Sequence, residues 1–280
     1  MTDTGSEFAG ETASHYSAYR RDVPDVLIEA AVCAADLTGH DVALDLGCGT
    51  GQVAIPLSRH VRSVLAADPE PDMLMGLRAR LVAMKVGNVL PVLAADHDLA
   101  VIATVCGDSF GVVTVANALH WMDADHVFMQ SRRLLRGGGA LIIISQGPPV
   151  WLSSSAWSRE LRAFLERWTG GAVSATCGTD QASLEQRALG LRRSGYPQIE
   201  VVEHAYENEV DLTYIAGHLR SAMSESALPL ARQPEFLAGL NDALRPQLEA
   251  GPLIERIEAT ALIAIADATP RSTSACLPPP

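Results

Sequence analysis

The chain has 280 residues, 48% hydrophobic and 19% charged, a composition that excludes disorder for its bulk. Its 21 basic against 33 acidic side chains leave a net charge of −12, which disfavours a phosphate backbone as partner and points to a small molecule instead of nucleic acid. No apolar run reaches the ~18 residues that cross a bilayer, so no membrane partner is expected.

The first dozen residues lack the basic start and apolar stretch of an export signal, and the expected setting is cytoplasmic. Residues 1–12 and 268–280 are too polar or too rich in Pro, Ser and Thr to order themselves. One domain is expected over 13–267. Five scattered cysteines, with no CxxC pair, suit reduced thiols and neither a disulfide framework nor a metal site.

In chain order, Pro24–Leu37 has a helix's apolar spacing, with proline in its first turn and Gly39 beyond its end. Val42–Leu46 is a short apolar run closed by glycines. Gln52–His60 is helical, Ser63–Ala67 apolar up to Asp68, and Met73–Met84 helical. Val89–Ala95 ends at Asp96, Val112–Ala116 is a fourth apolar run, and Asp123–Leu135 is helical. Gly137–Gly139 turns the chain into Ala140–Ser145.

Strand-sized runs that are continuously apolar and separated by helices define βαβ units in a parallel sheet covered on both faces. Beyond Ser145 come an amphipathic helix around Trp157–Trp168, a helix over Leu184–Ser194 and a strand over Ile199–Tyr206. Next come a helix over Leu212–Met223, a helix over Arg232–Leu248 limited by Pro246, and a strand over Ile257–Ala266. The fold class is α/β: a Rossmann-like, doubly wound, mostly parallel seven-stranded sheet with a helical lid insertion. The ligand-binding core is expected over about 40–146 and the lid over about 151–255.

Asp45-Leu46-Gly47-Cys48-Gly49-Thr50-Gly51 lies where the first strand meets its helix. Glycines there permit a tight turn and a ligand with no Cβ in its way, and the open helix N-terminus offers N–H donors. A dinucleotide fold calls for G-x-G-x-x-G; here the third glycine comes one residue early and an acid heads the turn. Asp45 would repel a pyrophosphate but could meet an ammonium group, so the turn suits a ligand with an amino acid end.

With these residues the chain resembles the class I S-adenosylmethionine (SAM)-dependent methyltransferases over residues ~14–146. LDLGCGTG (Leu44–Gly51) resembles that family's first motif. VTVANALHW (Val113–Trp121) resembles the fourth-strand motif of the subgroup that includes trans-aconitate methyltransferase, and LLRGGGALIIIS the fifth. The resemblance implies SAM as cofactor. It places Asp68 on the ribose hydroxyls, Asp96 with neighbouring His97 at the adenine edge, and Tyr16 and Arg20 on the methionine carboxylate. It adds Asn117 beside the fourth strand. A carboxylate at a strand's C-terminal end is also the group that physical reasoning selects for two vicinal hydroxyls, although Asp68 could equally cap the next helix. Met73 and Leu74 could pack on adenine or in the core.

On the acceptor side, methyl transfer from a sulfonium is a displacement that needs alignment and water exclusion. His120 is a candidate base, its ordinary pKa near 6.5 suiting proton removal; packing is the alternative reading. Trp121 and Tyr19, with His204 and Tyr206 in the lid, are candidate substrate contacts. The acidic stretch Glu203–Asp211 could steer an amine or be a solvated surface. The expected acceptor is a small metabolite of natural-product or antibiotic biosynthesis, with an amine or hydroxyl of a sugar or aminoglycoside-type molecule as the guess. The alternatives are a carboxylate of the aconitate type, an NAD-dependent oxidoreductase, or a non-catalytic SAM-binding protein. Monomer and homodimer stay open.

Overall fold

The computed structural model describes residues 10–174 and 176–266; the expected tail 268–280, Cys276 and most of the expected N-terminal tail lie outside them. Two helices precede the sheet, α1 (Glu11–Tyr19) and α2 (Asp25–Ala34). Helix α1 begins at Glu11, inside the stretch expected as the N-terminal tail.

Strands β1 (Val42–Leu46), β2 (Ser63–Asp68), β3 (Val89–Leu93), β4 (Phe110–Ala116) and β5 (Leu135–Gly147) alternate with α3 (Ala54–Leu57), α4 (Pro71–Met84), α5 (Leu99–Cys106) and α6 (Ala124–Leu134). After them come α7 (Ala156–Thr169), α8 (Gln181–Arg193), β6 (Gln198–Val210), α9 (Leu212–Ala222), α10 (Gln233–Ala250) and β7 (Leu253–Ile265). The seven strands run in the order β3-β2-β1-β4-β5-β7-β6. β1 to β5 pair in parallel and β7 runs antiparallel between β5 and β6. The chain winds outward from β1 in one direction and from β4 in the other. The crevice between their carboxyl ends is where open α/β sheets bind ligands.

Each sheet face is buried. One carries α2, α3 and α4 against Ala43, Val64, Val112 and Ile142; the other carries α5, α6 and α8 against Leu44, Val113, Leu141 and Ile143. Neighbouring residues of one strand thus enter opposite cores, which explains why the runs are apolar without alternation.

A third apolar cluster joins Val150 and Trp151 to Trp157, Leu161 and Leu165 of α7, Ile215 and Leu219 of α9, and Phe236, Leu240 and Leu244 of α10. The lid expected over about 151–255 is therefore two insertions, α7 after β5 and α9–α10 after β6. Helix α8 and β6 between them belong to the sheet layers.

Other differences have local causes. The helix expected over Gln52–His60 shrinks to Ala54–Leu57, the glycine turn and Pro56 leaving little regular backbone. α10 runs through Pro246 to Ala250; one proline removes one backbone bond, and the Phe236–Leu240–Leu244 stripe still anchors the helix. α5 was not anticipated, because LAVIATVC is apolar nearly throughout and shows no helical period.

Candidate active site

A cavity of about 400 Å³ opens at the β1/β4 crevice. Its floor is the glycine turn. Asp45, 1% exposed, accepts the Thr114 hydroxyl at 2.7 Å and the Ala54 N–H at 3.1 Å, so the acid bolts β1 to β4 and to the following helix. Burial pushes its pKa up to about 7, with the nearby Asp68 adding to the rise. Asp68 closes β2 and receives Gly49 N–H at 2.8 Å and Glu70 N–H at 2.9 Å; burial raises its pKa too. Gly49 adopts φ +52°, and a Cβ there would lie 3.2 Å from the Tyr16 ring. Tyr16 of α1 thus covers the turn.

The roof is α1 on α9. Arg20 Nε donates to Ser221 Oγ at 2.9 Å, and Tyr19 fills the space left by Gly217. Arg21 reaches Glu255 of β7 at 2.5 Å, a carboxylate 5% exposed, and its guanidinium lies 4.5 Å from the centre of the Tyr214 ring. Tyr214 in turn meets His218 Nδ1 at 3.3 Å. His218 is held neutral, its pKa pushed well down by burial and by Arg20 and Arg21.

Along the sheet edge a relay of polar groups runs from β4 to β6. Asn117 Oδ1 accepts Gln146 N–H at 2.8 Å, and Gln146 Nε2 donates to the Tyr206 hydroxyl at 3.1 Å. Asn117 itself holds φ +50°, a conformation asparagine tolerates.

Of the residues expected from sequence, the cavity is lined by Asp45, Gly47, Gly49, Asp68, Met73, Asp96, His97, Asn117, Tyr16, Arg20, His120, Trp121 and Tyr206. Gly51, Tyr19 and His204 lie outside the lining. Gly51, at φ +94°, lets the turn close on α4, where a Cβ would meet Leu77 at 2.6 Å. Tyr19 faces α9, and His204 stacks on Tyr206 along β6, ring centres 5.7 Å apart. Leu74 turns into the core while Met73 faces the cavity. Asp96 already accepts the Asp123 N–H at 3.0 Å, which leaves it one oxygen for a ligand.

His120 sits exposed at the mouth with its ring against Trp121, yet its pKa falls to about 4 through desolvation, Arg187 and Arg20. The expectation of a value suited to proton removal is corrected accordingly: the imidazole is neutral at pH 7 but weakly basic. Glu203, Glu207 and Glu209 point to solvent from the edge strand β6, where charge blocks strand addition, and Asp211 caps α9 through the Tyr214 N–H. The acidic stretch is thus an edge and a cap.

Sequence reading missed Arg21, Gln146, Trp151 and Glu255. Glu255 carried a signal: the inward positions of β7 run 253, 255, 257, and an acid in that apolar phase marks a buried charge.

Residues 43–139 match the methyltransferase-domain family. An uncharacterized methyltransferase of Mycobacterium tuberculosis is 31% identical over 170 residues, 60% of this chain and 63% of that protein. The methyltransferase ptaI of Pestalotiopsis fici is 25% identical over 62% of this chain and 55% of its own. The matches span between 48% and 63% of the length of these and the other leading curated relatives.

Among solved structures, a type II methyltransferase assigned in Anaeromyxobacter dehalogenans superposes with a TM-score of 0.59 at 21% identity, over 90% of this chain and all of that one. Phosphoethanolamine N-methyltransferase 2 of Haemonchus contortus, in complex with phosphomonomethylethanolamine and S-adenosylhomocysteine, gives 0.53 at 16%, over 94% and 58%. At such identities the superpositions show the fold.

Residues 43–139 thus match a methyltransferase domain, and the seven-stranded sheet superposes on solved methyltransferase folds. The cofactor that such a domain implies is S-adenosylmethionine. The residues present fit it: an open glycine turn, a buried strand-end carboxylate at Asp68 and a second at Asp45 occupy one cavity wall.

Proposed function

We propose that the protein transfers the methyl group of S-adenosylmethionine to a small metabolite held beneath the α7–α9–α10 cap. The observation that carries this reading is the single cavity shared by the glycine turn and the cap. The sulfonium supplies an electrophilic methyl when bound; the chain supplies alignment and exclusion of water. Asp68 would hold the ribose hydroxyls, Asp96 and Met73 would flank the base, and Tyr16 would close over the turn. An acid-lined floor, which would repel the pyrophosphate of NAD, supports SAM instead.

A hydroxyl acceptor suits the cap side better than an amine. The one carboxylate there, Glu255, is ion-paired with Arg21, and Arg187 and Arg20 make the mouth positive around His120. The neutral, weakly basic His120 would orient the acceptor's proton more than remove it. A cytoplasmic tailoring step in natural-product biosynthesis is the setting we favour, since apolar walls and a small polar set suit a compact metabolite.

Calorimetry with S-adenosylhomocysteine and with NAD tests the reading. Micromolar binding of the first alone is expected; binding of NAD alone would overturn it. Transfer of labelled methyl to a metabolite extract then separates an enzyme from a silent SAM binder.

A further inference from the structure

The four tryptophans of the chain differ in what their indole N–H groups do. Trp157 donates to the Ile254 carbonyl at 2.9 Å and Trp168 to the Ala227 carbonyl at 3.0 Å. Trp121, 55% exposed, is open to water at the mouth. Trp151 is 5% exposed, and its Nε1 has no hydrogen-bond partner among the described residues. Buried indole N–H groups normally find an acceptor, because leaving one bare forfeits its hydration for nothing.

Location distinguishes this orphan from others in the molecule. Among the described residues, Trp151 and Glu255 are the only buried side chains with an unsatisfied polar atom that line the cavity, and Glu255 has Arg21 at 2.5 Å. Trp151 follows Pro148 and Pro149 on the β5–α7 connection and packs into the cap cluster, so its ring is held in place. Tyr214 packs against the same cluster, and Tyr206 and Ile257 line the same cavity. This compartment offers an N–H donor and apolar surface, and no free carboxylate to receive an ammonium group.

We infer that Trp151, a buried wall of the cavity with an unpartnered indole N–H, recognises the methyl acceptor by offering that N–H to a carbonyl-type oxygen under the cap. The word acceptor rests on the methyltransferase reading; the hydrogen bond does not. A carbonyl oxygen suits this donor because it takes an N–H with no proton of its own to place. The oxygen can come from a neutral ketone or amide, or from a carboxylate.

The test uses the full chain with ¹⁵N-labelled indoles, saturated with S-adenosylhomocysteine. Each tryptophan gives one indole N–H cross-peak, and Trp151→Phe identifies its own by loss. Acetophenone, benzoate, benzylamine and ethylbenzene are titrated in turn. A saturable downfield proton shift of the Trp151 peak with acetophenone, benzoate or both is expected, and none with benzylamine or ethylbenzene. Which oxygen probe acts separates the neutral carbonyl from the carboxylate. Trp151→Phe should weaken that probe about tenfold, the loss of one buried hydrogen bond, with S-adenosylhomocysteine affinity unchanged.

A Trp151 peak unmoved by both oxygen probes, or moved equally by ethylbenzene or benzylamine, overturns the inference. Should Trp151→Phe fail to fold, phenylalanine variants of the other three assign the peak by elimination, and the wild-type titration decides. Failure to bind S-adenosylhomocysteine would instead overturn the methyltransferase reading, and the same titration then runs on the ligand-free protein.

Discussion

The floor and the roof of the cavity are built by different means. The floor is backbone and carboxylate: a glycine turn, strand ends, and two acids whose oxygens are taken up by nearby N–H and hydroxyl groups. It is fixed by the sheet, and little about it can adapt. The roof is made of long side chains: Arg20 and Arg21 just past the end of α1, and Tyr214 and His218 on α9. The comparison teaches a division of labour: a rigid floor suits a ligand of fixed shape, and a side-chain roof can adjust to its partner.

If the division holds, floor substitutions should abolish or weaken cofactor binding, and roof substitutions should spare it. The largest effect is expected from Gly49→Val. A β-branched residue at φ +52° with Tyr16 at 3.2 Å should cut S-adenosylhomocysteine affinity by at least ~100-fold in calorimetry, with circular dichroism confirming the fold. Near-normal affinity would detach the turn from the ligand. Asp68→Ala should cost about 1.5–3 kcal/mol of affinity through lost charge-assisted bonds; an unchanged dissociation constant would make Asp68 a purely structural brace of Gly49 and Glu70.

For the roof, Arg21→Ala strands the buried Glu255 carboxylate. Because Arg21 is partly solvated, the expected loss is about 1–3 kcal/mol of unfolding free energy, less than for a fully buried pair. Cofactor affinity in that variant should move less than twofold; a tenfold drop would show that roof and floor are one unit. The smallest effect concerns pH. Burial raises the Asp45 pKa to about 7, so the folded state favours the protonated acid. The contribution of Asp45 to ligand-free stability is therefore full below the ordinary carboxylate range and is lost as pH rises through about 4 to 7. Urea titrations should show that slope, flattened in Asp45→Asn.

The same division governs what could be read from sequence. The floor is local: Asp45 to Gly51 are consecutive, and Asp68 and Asp96 each close an apolar run, so pattern alone places them. The roof couples Arg21 to Glu255, Arg20 to Ser221 and Gln146 to Tyr206 across the fold, and no local period announces such pairs. His120 was legible in position but not in basicity, because the desolvation that depresses it, and the charges of Arg187 on α8 and Arg20 just past α1, arise from the folded surroundings. The inner strands β1, β2, β4 and β5 were legible because burial on two faces leaves an unbroken apolar signature, and β6 and β7 through alternation instead; the splitting of the cap was not, since the helical pattern of α8 does not say which layer it joins.

The α1 segment is fastened at three points: Tyr16 over Gly49, Arg20 to Ser221 and Arg21 to Glu255. A nine-residue helix outside the sheet therefore seals both compartments at once. On the proposed function, exchange of spent cofactor would require these fastenings to let go together, which would also open the metabolite side to water. Turnover would then follow an ordered cycle of loading and emptying, set by how readily one short helix detaches.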